Sequence, residues 1–428
     1  MSIAERVTDH VHPLLAALEA DPSGEGAFWE RLAAEKTPLV EPDPARPGHS
    51  LVTYVFRLPE GAEYAVVTPG VGRLAADNVL DVIAGTRTAH ATYRYRNDVR
   101  VTYGFTVDTP LVDPEQMSDA EWKAVLDQLM ATTPVHDPHG RELFVSRAGE
   151  GNPDNVASIV SLADAPAQPF VMRRPDVPHG KVDREDAFKS EIQGNERRIW
   201  VYTPPGYEAG GQAYPMLVAF DGGGSLTVSP IHRTIENLVA ERRIRPMVAV
   251  FVDNATPTSR NDELPCSEPF ARFLETELIP WVRERYRVSH DPADGYVTGV
   301  SYGGLAAMWM GYRLSHLFGN VIAQAPSLWW GPGFDMGKAP RSQAYTEGWL
   351  IDQYERSPKL PLRIWQEIGL MESPDRMIEP NRRMKAVLEA KGYDLIYSEP
   401  AGAHDYALWR GTIAEALEVM APEREVAR

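Results

Sequence analysis

The stretch from Asp294 to Asn320, DGYVTGVSYGGLAAMWMGYRLSHLFGN, constrains this chain more than any other. A short β-branched and aromatic segment (Tyr296, Val297, Thr298) runs into Gly-Val-Ser-Tyr-Gly-Gly and then into an apolar run with helical spacing. A strand that turns at once into a helix has little room for side chains at the corner. Gly299 and Gly303 supply that room and leave Ser301 between them. The helix starting behind the serine offers unpaired N–H groups and the positive end of its dipole. A serine so placed reads as a nucleophile. The competing reading, a plain tight turn, makes no demand on the rest of the chain.

The rest of the chain supplies a setting. From about residue 186 to 428, strands and helices alternate. RRIWVYTPPGY, PMLVAFDGGG, PMVAVFVDN, VIAQAP, LRIWQEIG and YDLIYSEP are strand-like. IHRTIENLVAERRI, SEPFARFLETELIPWVRERY and NRRMKAVLEAKG have helical spacing. This pattern predicts a mostly parallel sheet covered on both faces. Residues 1–160 read differently. The first 22 suggest one helix, and GAFWERLAAEK a second. LVTYVFRL, AEYAVVTP, AHATYRYR and VRVTYGFTV then alternate as short strands with Gly, Pro and Asn turns, which predicts a small, immunoglobulin-like β-sandwich. SDAEWKAVLDQLMATT interrupts it as an amphipathic helix, with Ser118 and Glu121 in capping-box spacing. Residues 161–185 are proline-rich and without period, a linker.

Composition removes several function classes. The net charge is −17 with a sequence pI near 5.2, so a nucleic-acid partner is not expected. One cysteine, Cys266, excludes an internal disulfide framework and a cysteine-rich zinc site. No metal or cofactor is expected. The first residues mix charges and lack the basic start and apolar centre of a signal peptide. No segment approaches the roughly 18 apolar residues of a membrane span. A cytoplasmic protein acting on a small molecule is the expectation; nothing in the sequence fixes its oligomeric state.

In an α/β-hydrolase, the fold this pattern matches, the acid and the histidine follow the serine in that order. Two histidines follow Ser301. His316 sits at the end of the helix behind the serine, where packing or capping explains it. His404 lies in EPAGAHDYALWRG, between the last strand and the last helix, where the base belongs. The loop after LRIWQEIG offers Glu372 and Asp375; Glu372 is favoured and Asp375 is the alternative. Glu367, inside that strand, reads as structural. The oxyanion hole is expected from the Tyr302 N–H and from the loop after PMLVAF, at Gly222 and Gly223.

At these residues the chain resembles the enterochelin (enterobactin) esterases, hydrolases of ferric catecholate siderophores. The likeness runs from about residue 28 to 418, through FWERLAAEKTPLVE, TPVHDPHG, RNDELPCSEPFARFLETELIPWV, GVSYGGLAA, SLWWGPG, GLMES and AGAHDYALWRGTIAEAL. DGGGSL lacks the tryptophan that often follows the third strand in the family, and DPHG lacks its usual asparagine. The resemblance implies a sandwich that caps an α/β-hydrolase domain and helps form its pocket. It implies cleavage of a trilactone through an acyl-enzyme, releasing iron. A ferric complex is anionic, so arginines are sought: Arg260 first, then Arg94 and Arg96. Trp329 and Trp330 are candidates for an aromatic wall. Cys266 reads as buried rather than catalytic. The alternative is an ester or depsipeptide hydrolase of secondary metabolism with the same machinery. A silent carrier using the same pocket is a third reading, disfavoured by Ser301 and His404. The α/β portion is long enough to fold by itself, so a chain starting near residue 186 is expected to hydrolyse small activated esters.

Overall fold

Alternation of side chains explains how the larger sheet is built. In four consecutive parallel strands, odd-numbered and even-numbered residues go to opposite faces. Val218, Val250, Val297 and Val321 enter one apolar cluster, while Leu217, Ala219, Tyr296 and Ile322 enter another. A strand buried on both faces has no polar side, which is why these segments read as continuous apolar runs.

The computed structural model describes residues 3–68, 75–113, 116–132, 134–146, 155–208, 211–335 and 348–423. Among the described residues the N-terminal part contains nine strands: β1 (Ala4–Val7), β2 (Leu39–Pro42), β3 (His49–Arg57), β4 (Ala65–Thr68), β5 (Asp81–Val82), β6 (Thr88–Arg96), β7 (Arg100–Val107), β8 (Glu142–Ser146) and β9 (Asn155–Ser161). One sheet runs β1-β6-β3-β2 with β5 also on β6; the other runs β4-β7-β9-β8. Tyr54, Tyr93, Tyr95, Tyr103 and Phe105 fill the core the two sheets share. The expected β-sandwich is therefore present. The helix expected over residues 1–22 is instead β1 followed by a helix, Pro13–Ala20. The four residues of β1 pair with β6, so edge pairing outcompetes helix propensity there. The helix Asp119–Ala131 has the expected capping box at Ser118 and Glu121.

The C-terminal part is built on a sheet that has eight strands among the described residues: β10 (Lys181–Ser190), β11 (Asn195–Thr203), β12 (Met216–Ala219), β13 (Val248–Val252), β14 (Gly295–Val300), β15 (Asn320–Gln324), β16 (Arg363–Glu367) and β17 (Asp394–Ser398). Its order is β10-β11-β13-β12-β14-β15-β16-β17. The β10–β11 and β11–β13 pairings are antiparallel and the others parallel. β10 starts at Lys181, so the boundary expected at residue 186 falls inside a strand. The polar exterior of β10 hid it: six of its ten residues are charged, and most are exposed. Among the described residues, no helix is long and apolar enough to cross a membrane.

Candidate active site

Ligands of open α/β sheets bind beyond the carboxyl ends of the strands, and the polar residues of this chain collect there. Asp221 follows β12, Asp253 and Asn254 follow β13, Ser301 follows β14, Ser327 follows β15, Glu372 follows β16, and His404 follows β17.

Ser301 has φ 58° and ψ −119°, a conformation that L residues rarely adopt. Crowding maintains it. A Cβ at Gly299 would lie 2.4 Å from the carbonyl carbon and oxygen of Gly303, so residue 299 has to be glycine. Ser301 N–H donates to the Gln324 carbonyl at 3.0 Å, and the Ser301 carbonyl accepts from Ser327 N–H at 3.2 Å. The two hydroxyl oxygens, Ser301 Oγ and Ser327 Oγ, are 3.4 Å apart.

The His404 imidazole meets Glu372 with Nδ1 2.8 Å from Oε1 and 2.9 Å from Oε2. Glu372 is buried, so it is an acceptor that water does not compete for. With its proton on Nδ1, His404 donates to this carboxylate and leaves Nε2 unprotonated. Trp409 packs edge-on against the imidazole, with ring centroids 4.8 Å apart. Asp375 is exposed in the helical turn Pro374–Ile378.

Ser301 and His404 both line a cavity of about 850 Å³ between the two parts of the chain. Thr102, Tyr103, Gly104, His136 and Phe144 line it from the N-terminal side. Asp221, Asp253, Asn254, Arg260 and Tyr406 line it from the other. Of these, Arg260 had a sequence signal, whereas single acids outside a motif look like any surface residue. Their position at strand ends was the available clue.

Arg260 lies at the cavity, but its charge is already used. Nε and Nη2 donate to Asp221 Oδ1 and Oδ2 at 2.7 and 2.8 Å. Burial works against the arginine charge, and these bonds more than offset it, so its pKa ends above the ordinary value. Asn254 Nδ2 donates to Asp221 Oδ1 as well, at 2.8 Å.

Several expected residues lie elsewhere. On β6, Tyr93 and Tyr95 point into the sandwich core, so Arg94 and Arg96 point the other way. Arg94 is ion-paired with Asp43 and Glu5, and Arg96 donates to Asp98 at 2.7 Å. Neither lines the cavity. Trp329 is buried against Tyr302 and Phe334, with ring centroids 5.9 and 4.8 Å away, and Trp330 packs on Trp349 at 6.3 Å. They contribute to the core and form no wall of this cavity. Gly222 and Gly223 open a short helix, Gly222–Thr227, rather than a loop. Gly223 N–H is 3.3 Å from the Asp253 carboxylate, and a Cβ at Gly222 would press on the backbone of Val252 at 2.9 Å. The cavity is lined instead by their neighbours Asp221 and Gly224. Tyr302 is the first residue of the helix Tyr302–Arg313, where N–H groups have no intrahelical acceptor. Cys266 is packed against the core, and burial pushes its thiol pKa well up.

Residues 190–420 match the model of the Esterase family, described as "Putative esterase". The chain is 28% identical over 424 residues to the iron(III) enterobactin esterase of Dickeya dadantii, covering 94% of each. It is 26% identical over 387 residues to that of Escherichia coli K12, covering 86% of this chain and 90% of the relative. Among solved structures, it is similar to the ferric enterobactin esterase of Salmonella typhimurium (TM-score 0.74, 24% identity, 92% of this chain and 98% of the other). It is likewise similar to the enterobactin esterase of Shigella flexneri in the presence of enterobactin (TM-score 0.70, 24% identity, 93% and 98%). These structural likenesses show a common fold. The chain thus belongs to the esterase family, is a carboxylic ester hydrolase, and resembles the enterobactin esterases over nearly its whole length.

Proposed function

We propose that this protein is a serine esterase that opens the lactone esters of a catecholate siderophore such as enterobactin. Ser301 is the nucleophile, His404 the general base and Glu372 the acid that orients it. The observation that carries this reading is the pairing of His404 Nδ1 with both oxygens of buried Glu372, at the cavity where Ser301 occupies its strained turn. Ser301 Oγ attacks the ester carbonyl as His404 takes its proton. The tetrahedral oxyanion collapses to an acyl-enzyme and the alcohol leaves with the proton from His404. Water then repeats the sequence and frees the acid. The substrate class comes from the relatives, which are named as enterobactin esterases. The test is product analysis by mass spectrometry with the iron-free trilactone and its ferric complex. The wild-type protein should give linear trimer, dimer or monomer, and Ser301→Ala should give none of them. Products from Ser301→Ala would overturn the assignment.

One observation favours a second substrate for the same machinery. Among the described residues of the cavity, Arg260 is the one arginine, and Asp221 neutralises it. Asp253, also at the cavity, pairs with Arg198 at 2.7 Å. Such a wall offers an anionic ferric complex no net positive charge and suits an uncharged ester or depsipeptide. A higher kcat/KM on neutral macrolactones than on either form of enterobactin would establish that reading.

A further inference from the structure

The histidine loop connects β17 to the helix Tyr406–Met420 and has two short backbone bonds of its own, Gly402 N–H to the Pro400 carbonyl and Asp405 N–H to the Ala403 carbonyl; its other contacts reach further. The two residues flanking His404 are both held by the N-terminal sandwich. Ala403, on one side, is buried in the sandwich core together with Tyr54 and Tyr103. Asp405, on the other, accepts the Thr102 backbone N–H at 2.9 Å and the Thr102 hydroxyl at 3.1 Å, both at Oδ2. Its other oxygen, Oδ1, caps the following helix by accepting Leu408 N–H at 3.2 Å. A helix cap needs one carboxylate oxygen. The second is bound to a strand 303 residues away in sequence. The acid loop joins the same assembly: Met371 N–H donates to the Gly402 carbonyl at 2.9 Å, and Met371 packs against the sandwich core.

We propose that Thr102 of β7 and Asp405 are positioning residues for ester hydrolysis, and that through them the N-terminal domain holds His404 against Glu372. This rests on His404 being the base. The domain then does more than cover the substrate: it sets the orientation of the base, for small esters as well as large ones. A misplacement of the base by a fraction of an ångström lowers the chemical rate without altering how a small substrate binds.

The experiment uses full-length protein and p-nitrophenyl acetate, a substrate far smaller than the cavity. Rates are expressed per active site titrated by burst, so unfolded protein does not count as lost activity. Thr102→Val removes the hydroxyl bond to Asp405 and keeps the backbone one. It is expected to lower kcat about 5- to 10-fold with KM unchanged within about twofold. Thr102→Ser keeps the hydroxyl and is expected to restore kcat. Asp405→Asn leaves one acceptor oxygen where two are used, so it loses either the Leu408 cap or the Thr102 bonds, and it should lower kcat at least as far as Thr102→Val. A KM effect with kcat unchanged would make Thr102 a substrate contact, and an unchanged kcat per active site would leave it a structural residue. Either result overturns the inference, as does failure of Thr102→Ser to rescue. His404→Ala is measured in parallel. If it retains activity, the assignment of the base has failed; if it is inactive while Thr102→Val is normal, only this inference has.

Discussion

Glu372 was one of two carboxylates that the sequence left open, and geometry separates them. Glu372 is buried on the imidazole and Asp375 is exposed. Glu372→Gln is expected to lower kcat by about 10²-fold or more, since an amide accepts only one bond there and does not stabilise an imidazolium. Asp375→Asn should stay within about twofold, as surface substitutions do. Parallel kinetics on one ester check this, and a larger loss in Asp375→Asn would reverse the roles. Ser301, His404 and Glu372 were proposed from chain order and element order, which restrict where a hydrolase's groups fall; His404 does meet Glu372, and Ser301 and His404 share one cavity. The placement of Arg94, Arg96, Trp329 and Trp330 was not legible, because residue type alone does not say which face of a strand or loop meets the cavity. The Asp221–Arg260 pair was half legible: the arginine was found and its partner was missed, since a carboxylate beside glycines looks like a turn.

At the scale of elements, two buried acids show how the strands are fixed in place. Glu367 of β16 accepts from Thr412 Oγ1 at 2.7 Å and Gln324 Nε2 at 3.2 Å, and Gln324 in turn accepts Ser301 N–H through its carbonyl. Burial raises the Glu367 pKa to about 7, against the hydrogen bonds from Thr412, Gln324 and Trp365 that lower it. The folded state therefore binds this proton more tightly than the unfolded state. The stabilisation is complete below the unfolded value near 4.5 and is lost as pH rises through about 7. Glu367→Gln should remove this part of the pH dependence, roughly 3 kcal/mol across that window. Melting temperatures of both proteins at about pH 5 and about pH 8 are the check; equal declines in both would refute it. The second acid, Glu263, receives Arg197 of β11 in a two-bond pair at 2.8 and 2.9 Å, with the guanidinium also over Phe273 at 4.6 Å. Glu263→Ala strands a fully buried cation and is expected to cost roughly 3–5 kcal/mol in chemical denaturation. A loss under about 1 kcal/mol would mean that water reaches Arg197. Glu263 belongs to the RNDELPC segment, whose role here is to tie a short helix to the sheet. Elements with clear periodicity were legible at this scale. β1 and β10 were not: β10 is an edge strand with a charged, exposed side and no period-two apolar signal, and β1 is four residues long with two of them charged.

For the whole molecule, the sandwich and the sheet domain share more than a linker. Ala401 and Ala403 of the histidine loop are part of the sandwich core, and the cavity takes lining from both domains. A chain starting near residue 186 begins inside β10 and lacks the strand that holds Asp405. The expectation that it hydrolyses small esters unaided therefore gives way to an expected loss on every substrate. The change of texture along the chain, from short strands with turn residues to alternating strands and helices, matches the separation of the N-terminal sheets from the C-terminal one. The interface was not legible, because its contacts are scattered single residues: alanines, Met371, the Asp405 carboxylate on Thr102, and Arg410 on Glu142 and Phe144. In the proposed mechanism one serine, activated across this interface, performs the chemistry. The most direct test of this is the reaction of the intact protein with a fluorophosphonate, followed by peptide mapping. A single adduct on Ser301 is expected, absent in Ser301→Ala and formed far more slowly in His404→Ala. An adduct on another residue, or unchanged ester hydrolysis by Ser301→Ala, would contradict it.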